Sequence, residues 1–286
     1  MPTPDCEEFR FHPNREVSSY PTNARVIDDP KESVKASVER LAELQEKLFA
    51  DNRYALLLVF QGMDAAGKDS TIKNAFSGVN PAGFQVFSFK QPSLKQLDHN
   101  YLWRYWQAMP ERGRIGIFNR SYYEETLVVR VHPEIIENRQ LPHKTINEAF
   151  WQSRFEDFRN LESHLDANGT KVLKFFLNVS KEEQRQRLLR RLERDDKHWK
   201  FNPSDVRERR YWDEYQHAFA ETLKHTHTED SPWYVIPADH KWTMRALVAQ
   251  AIELALRALP IEYPEPADDD RLEFDSAREE LLAQGR

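Results

Sequence analysis

The stretch Gly62-Met-Asp-Ala-Ala-Gly-Lys-Asp-Ser-Thr71 has the spacing G-x-x-x-x-G-K, a pattern that holds phosphate. Glycines at 62 and 67 let the backbone curl past Ala65 and Ala66 with its N–H groups facing inward. A helix opening after them turns its positive end to the same point, and Lys68 adds a full charge. Ser70 and Lys73, in the first turns of that helix, complete the candidate phosphate-binding set. One position departs from the usual pattern. The residue after the lysine, a Ser or Thr that holds Mg2+ in most such loops, is Asp69. Mg2+ prefers oxygen ligands and keeps several waters, so Asp69, or Asp64 inside the loop, is the candidate ligand in place of the hydroxyl.

A second group of chemistry-bearing residues closes a short apolar run, Arg114-Ile-Gly-Ile-Phe-Asn119-Arg120-Ser-Tyr-Tyr-Glu124-Glu125. If that run is a buried strand, its end lies at the carboxyl edge of the sheet, where α/β proteins bind ligands. Asn119 stands where an acidic residue is expected, so Glu124 or Glu125 supplies the missing charge, with Glu124 the better candidate for a metal. Glu125 alone reads as a solvated helix face. Arg120 and Arg130 are candidates to meet phosphate. A third group lies between Arg185 and Lys200, where seven lysines and arginines face three acids. On a helix, Arg187, Arg190, Arg191 and Arg194 share one face at i, i+3, i+4 and i+7, with Leu188, Leu189 and Leu192 opposite. Like charges at that spacing repel unless an anion offsets them, which makes the stripe, with Lys197 and Lys200, a candidate anion site. Trp199 and Phe201 beside it read as core residues, with stacking on a base as the alternative.

These groups need a scaffold that brings strand ends together. The run Tyr54–Gln61 suits a strand buried on both faces, and further short strands are expected at Gln85–Phe89, Arg114–Asn119, Val172–Asn178 and Trp233–Ala238. Helices are expected at Ser33–Leu48, from Lys68 through Phe76, and at Leu97–Ala108, Lys144–Asn168, Lys181–Arg194, Pro203–His225 and Thr243–Leu259. Strands alternating with helices predict an α/β fold, a three-layer sandwich around a five-stranded parallel sheet. The expected organisation is an irregular, proline-punctuated arm over residues 1–30, lying on the surface or on a partner subunit. One domain over 31–260 follows, with a helical lid at about 182–210, and then an acidic, proline-rich tail over 261–286 with room for a short helix. With 286 residues and a net charge of −6, any polyanion site must be a local concentration of cations. The single cysteine, Cys6, the absence of a leader pattern at Met1 and the lack of a membrane-length apolar run predict a cytoplasmic protein without membrane contact.

Taken together, Gly62–Asp69, Asn80-Pro-Ala-Gly83, Phe89-Lys-Gln-Pro-Ser93, Phe118-Asn-Arg-Ser-Tyr-Tyr-Glu124, Val129-Arg-Val-His-Pro133 and Asp196-Lys-His-Trp-Lys200 make the chain resemble the polyphosphate kinase 2 family over roughly residues 30 to 260. The resemblance implies a P-loop sandwich of the nucleoside-monophosphate-kinase kind, moving phosphoryl groups between inorganic polyphosphate and adenine nucleotides, or guanine nucleotides as an alternative. Mg2+, or Mn2+ in its place, would assist. It implies that Asp64 helps hold metal and phosphates, Lys68 contacts phosphate, Arg120 binds the transferring group, and Lys90 and the lid arginines line a polyphosphate channel. Asn80, Pro81, Gly83, Phe84 and Asn119 would bind the nucleotide. Diphosphate-specific members tend to carry Asp where this chain has Asn119 and Asn where it has Glu124, so the resemblance is to the class acting on both AMP and ADP. It also implies a homo-oligomer, a dimer or tetramer, with no nucleic acid as partner.

Two rivals stand beside this reading. An ATP-dependent kinase of a small metabolite or nucleotide shares the loop, but the surplus of lid arginines argues against it. A nucleic-acid-binding module with a non-catalytic loop shares the basic and aromatic residues. Asp64 and Glu124 among the cations argue for catalysis, because a pure polyanion binder has no use for metal-holding carboxylates there.

Overall fold

The computed structural model describes residues 5–137, 139, 141–142 and 145–284. Five strands, β1 (Ala55–Gln61), β2 (Phe84–Ser88), β3 (Ile115–Asn119), β4 (Thr170–Asn178) and β5 (Trp233–Pro237), form one parallel sheet in the order β2-β3-β1-β4-β5. Twelve helices surround it among the described residues: α1 (Pro30–Asp51), α2 (Lys68–Ala75), α3 (Leu94–Leu97), α4 (Trp103–Trp106), α5 (Val128–Val131), α6 (Glu134–Glu137), α7 (Glu148–Ala167), α8 (Lys181–Glu193), α9 (Pro203–Glu208), α10 (Trp212–Thr226), α11 (Lys241–Arg257) and α12 (Asp268–Gln284). The expected α/β sandwich is the fold.

Local signals explain where the elements start and stop. Asp29 accepts from the N–H groups of Lys31 and Glu32 with Pro30 in the first helical turn, which starts α1; Asn52, left-handed at φ 54°, ends it. Every residue of β1 is buried, as a central strand covered on both faces requires. Its neighbours lie on opposite sides: Phe60 pairs with Asn119 of β3 and Gln61 with Phe176 of β4. The loops leaving β1 and β3 therefore emerge side by side, at the switch point where doubly wound sheets hold ligands.

Four expectations need correction. The arm before α1 is irregular, but Cys6, Phe9, Phe11, Val17 and Tyr20 are core residues. Arg10 bridges Tyr234 in antiparallel fashion, and the Phe11 N–H donates to the Trp233 carbonyl oxygen at 2.8 Å, covering the outer edge of β5. The helix expected over Leu97–Ala108 is two short ones, α3 and α4. The helix expected over Pro203–His225 breaks at Arg209–Tyr211, a 3-10 turn between α9 and α10. Of the three leucines on α8 only Leu188 is buried, while Leu189 and Leu192 are 37% and 47% exposed. The expected start of the long helix at Lys144 lies outside the described residues; its described part begins at Glu148. The tail carries α12, whose described side chains are exposed.

Candidate functional site

The loop after β1 is shaped by three left-handed residues. Gly62 has φ 154°, and a Cβ there would come within 3.0 Å of the Leu177 carbonyl oxygen on β4. Ala65 at φ 60° and Gly67 at φ 111° complete the curl. A non-glycine residue such as Ala65 in this region costs about 1–3 kcal/mol, strain that tends to gather at ligand clamps. Lys68 is buried with its Nζ donating to the Gly62 carbonyl at 2.7 Å and to Met63 at 3.4 Å. Burial, and then the neighbouring Arg120, pull its pKa down to about 8, against the opposing pull of Asp64, Glu124 and Asp69.

Across the switch point, Arg120 is also left-handed, at φ 65°, with its N–H bonded to the Phe60 carbonyl at 3.0 Å. Its guanidinium donates to Asp64 Oδ1 at 2.6 Å and lies 3.7 Å from Glu124 Oε2. Glu124, foremost, and Asp64 raise the arginine's pKa against its own burial. Glu124 is raised by burial, which outweighs Arg120 and Lys68, and with the Gln61 amide turned to suit its neighbours the NH2 donates to Glu124 Oε1 at 2.9 Å. Asp64, Lys68, Arg120 and Glu124 thus form one interacting set.

What holds the Arg120–Glu124 turn lies beneath it. Tyr122 and Tyr123 are buried and donate to Glu162 Oε1 at 2.7 and 2.6 Å. The other Glu162 oxygen takes a 2.6 Å bond from Lys174, which also donates to the Thr226 carbonyl at 2.7 Å. Lys174 and Glu162 are almost wholly buried. Burial lowers the lysine's pKa and the glutamate opposes it. A buried ion pair needs every remaining donor and acceptor satisfied, and here two tyrosines and a carbonyl do so.

Two cavities of about 720 Å3 each meet at Asp64 and Arg120. One runs over the phosphate loop beneath α8 and is lined by ten cations, among them Lys68, Lys90, Arg190, Arg194, Lys197 and Lys200, against two acids, Asp64 and Asp69. The other is mixed. It is bounded by Glu124, Lys90, Tyr101 and Arg104 on one side, and by Asp205, Glu208, Tyr215 and the apolar Val129, Leu141 and Phe219 on others.

Several expected site residues lie elsewhere or serve differently. Asn80, Pro81, Gly83 and Phe84 sit at the amino edge of the sheet, the end of β2 remote from the loop. Asn80 caps a turn through its bond to the Ala82 N–H, Gly83 packs against Gln45 and Phe84 against Phe76, and none of the four lines either cavity. Asn119 lines the basic cavity and ties Asp69 through its Nδ2. Arg130 lies outside both cavities, its guanidinium 5.4 Å from the Trp151 ring centre and 3.9 Å from Glu221. Lys73 is exposed and lines neither cavity. Glu125 is buried, not solvated; it takes both ends of the Arg139 guanidinium and lies 3.6 Å from Arg154. Trp199 belongs to no core at 77% exposure, with Lys200 over its ring.

The arginine stripe also differs. Arg187 is only 6% exposed and braces the loop from behind, donating to the Ala66 carbonyl at 2.7 Å, Ala65 at 3.1 Å, Asp239 at 3.2 Å and Ala238, and to Glu183 at 2.8 Å. Arg190 shares Glu183, Arg191 pairs with Asp205 and Arg194 with Asp196. Glu183 and Asp205 lie outside the 185–200 segment that carries the charge excess, so the stripe is partly neutralised by its own fold. Residues missed from the sequence are Lys241, which lines the basic cavity; Gln184, whose amide donates to the Asp64 carbonyl at 2.9 Å; and Asp205, Glu208 and Tyr215 in the mixed cavity. An acid following Pro203 and Ser204 in an otherwise basic segment was the one signal available for Asp205.

Comparison with known proteins bears on this arrangement. The family described as polyphosphate kinase 2 matches residues 26–264. An ADP-polyphosphate phosphotransferase from Rhodopseudomonas palustris is 48% identical over 96% of this chain and 98% of its own. An AMP/ADP-polyphosphate phosphotransferase from Meiothermus ruber is 44% identical over 79% of this chain and 81% of its own. The crystal structure of polyphosphate kinase 2 from Arthrobacter aurescens TC1 superposes with a TM-score of 0.87 at 34% identity, covering 98% of this chain and 96% of the other.

Proposed function

The chain belongs to the polyphosphate kinase 2 family, and from that premise we propose that it transfers phosphoryl groups from inorganic polyphosphate to AMP and ADP, forming ADP and ATP reversibly. The observation that carries the reading is the pair of cavities meeting at Arg120. The basic one suits an extended polyanion, and among its lining residues only Phe89 offers an aromatic face, so it has little to hold the base of an ATP donor. That favours polyphosphate over ATP as the donor. The mixed cavity, with aromatic and apolar walls and fewer net charges, suits the acceptor nucleotide in place of the Asn80–Phe84 region.

In this reading the loop N–H groups and Lys68 hold the end of the polyphosphate, while Arg190, Arg194, Lys197 and Lys200 hold its length. Arg120, at the junction, takes the transferring group. An acceptor phosphate, whose last proton leaves at a pKa of about 6, is already ionised at neutral pH, so the chain has no need of a general base. Its task is in-line positioning and charge neutralisation. The helical segment around α8 and α9 would cover the donor and keep water from competing.

The donor set fits Mg2+ in a particular way. Among the described residues no group of three or more His, Cys, Asp or Glu side chains could hold an ion alone. Asp64 and Glu124 both face Arg120, and one or two carboxylates plus substrate phosphates and water are what Mg2+ commonly takes. When bound it would supply positive charge that offsets the charge of the phosphate oxygens. Asp69 is the weaker candidate, because Asn119 holds one of its oxygens. Glu124 in place of the asparagine of diphosphate-specific relatives supports acceptance of AMP as well as ADP. Assembly into a dimer or tetramer in the cytoplasm belongs to the same proposal, the assembly supported by the open β2 edge with Val86 exposed; among the described residues no helix is long and apolar enough to cross a membrane.

Lys68→Ala and Arg120→Ala each test the assignment. The expected result is loss of transfer with a retained thermal unfolding transition; near-normal turnover in either variant would remove these residues from the mechanism.

A further inference from the structure

The mixed cavity carries a carboxylate that phosphoryl transfer itself does not use. Glu208, the last residue of α9, lines the cavity with its side chain 31% exposed. Its Oε2 accepts from the Tyr215 hydroxyl at 2.8 Å and lies 2.9 Å from His132 Nε2. Among the described residues Oε1 makes no hydrogen bond. His132 in turn is placed by Tyr211, whose ring meets it edge-on at 4.8 Å, and by Glu134 at its other nitrogen, 3.2 Å away. The side chain is thus fixed at one oxygen and open at the other.

An ionised carboxylate accepts hydrogen bonds and donates none, and so do the phosphates of a nucleotide. Glu208 therefore cannot hydrogen-bond the phosphate end of a ligand directly, whereas hydroxyl or N–H donors satisfy it. Its position narrows the choice. Tyr215, which it holds, lines the same cavity as Arg120, Glu124 and Asp64. Glu208 therefore shares with Arg120 the cavity in which the acceptor phosphate would meet that arginine. Beyond its phosphate an acceptor nucleotide offers that cavity a base and a ribose, and the ribose, one ester bond from phosphate, presents two vicinal donors in its diol. Acidic side chains meet ribose hydroxyls for the same reason in dinucleotide-binding folds.

We propose that Glu208 recognises the ribose 2′,3′-diol of the acceptor nucleotide, held in place by Tyr215 and His132. The inference rests on the nucleotide-acceptor reading above and deepens it. Glu208 is here a specificity-determining residue, and a purely structural role in joining α9 to the body is the competing explanation.

The test compares kcat/KM for AMP, 2′-deoxy-AMP, 3′-deoxy-AMP and inosine monophosphate at saturating polyphosphate, in the wild-type enzyme and in Glu208→Gln and Glu208→Ala. A hydrogen bond to a charged group is worth about tenfold or more in affinity. The expected wild-type result is a loss of about that size for at least one deoxy analogue and little loss for inosine monophosphate, which keeps the diol. In the variants AMP should fall to the level of that deoxy analogue, mainly through KM, while the analogue itself changes less than about twofold. An equal fall for every acceptor would show a structural role and overturn the proposal, as would a wild-type enzyme that treats AMP and both deoxy analogues alike, or one that discriminates only against inosine monophosphate. A wild-type enzyme that phosphorylates none of the four would instead refute the nucleotide-acceptor reading, before any variant is compared.

Discussion

Replacing Arg187 by alanine should unsettle the phosphate loop from behind. Its guanidinium joins the loop carbonyls of Ala65 and Ala66 to those of Ala238 and Asp239 after β5, and the bonds to Ala66 and Ala238 are buried. Two buried carbonyls left without donors cost about 1–3 kcal/mol each. The remaining bonds lie nearer solvent, where water can replace the guanidinium. A total of about 4 kcal/mol, at about 2–4 °C per kcal/mol for a domain of this size, lowers Tm by roughly 10 °C. Because the loop itself is displaced, kcat at saturating polyphosphate should fall as well. Arg190→Ala supplies the contrast. That side chain is half exposed with one ion pair to Glu183, so its loss should leave Tm within about 2 °C and raise KM for polyphosphate several-fold. Thermal unfolding followed by initial-rate kinetics on both variants decides. If Arg187→Ala kept the wild-type Tm and kcat and raised only KM for polyphosphate, the residue would be a channel ligand and the brace argument wrong.

Three further outcomes are expected. Lys68 binds phosphate in its protonated form, and its pKa in the free protein is pulled down to about 8, so kcat/KM for polyphosphate should decline as pH rises through about 8; bound phosphate favours the proton, so the limb in kcat should appear at higher pH, and coincident limbs would contradict this. Glu124→Asn should move the preference from AMP toward ADP, and an unchanged ratio of kcat/KM for the two acceptors would reject the selectivity argument. Gly83→Ala places a Cβ 1.9 Å from Gln45 Nε2, so it should lower Tm and leave the nucleotide KM alone; a raised KM at unchanged Tm would return the Asn80–Phe84 region to the binding site.

How much of this could be seen in the sequence follows from the range of the interactions involved. The phosphate loop is a local motif: glycines, lysine and the opening helix lie within ten residues, and its surroundings matched. The four buried strands announce themselves as apolar runs, and β2, whose residues are half-buried or exposed, as a short stretch rich in Phe and Val, so all five appeared near their places. Breaks within helices did not, since the turn at Arg209–Tyr211 carries neither glycine nor proline. Charge partners across the chain were out of reach as well. Arg187 reads as one of four exposed arginines until Ala238, 51 residues on, accepts its bond. Glu125 reads as a helix-start acid until Arg139 and Arg154 close on it. The Asn80-Pro-Ala-Gly83 motif is the opposite case: its pattern is legible, but its place in a turn at the far edge of the sheet follows from the strand order, which no local pattern carries.

The central claim is transfer between polyphosphate and nucleotide at the junction around Arg120. Purified protein incubated with long-chain polyphosphate, Mg2+ and either AMP or ADP, without added ATP, and followed by nucleotide chromatography, tests it most directly. The account predicts ADP and ATP from AMP, ATP from ADP, and neither with Arg120→Ala. No nucleotide product from either acceptor, with the protein folded and Mg2+ present, would contradict it.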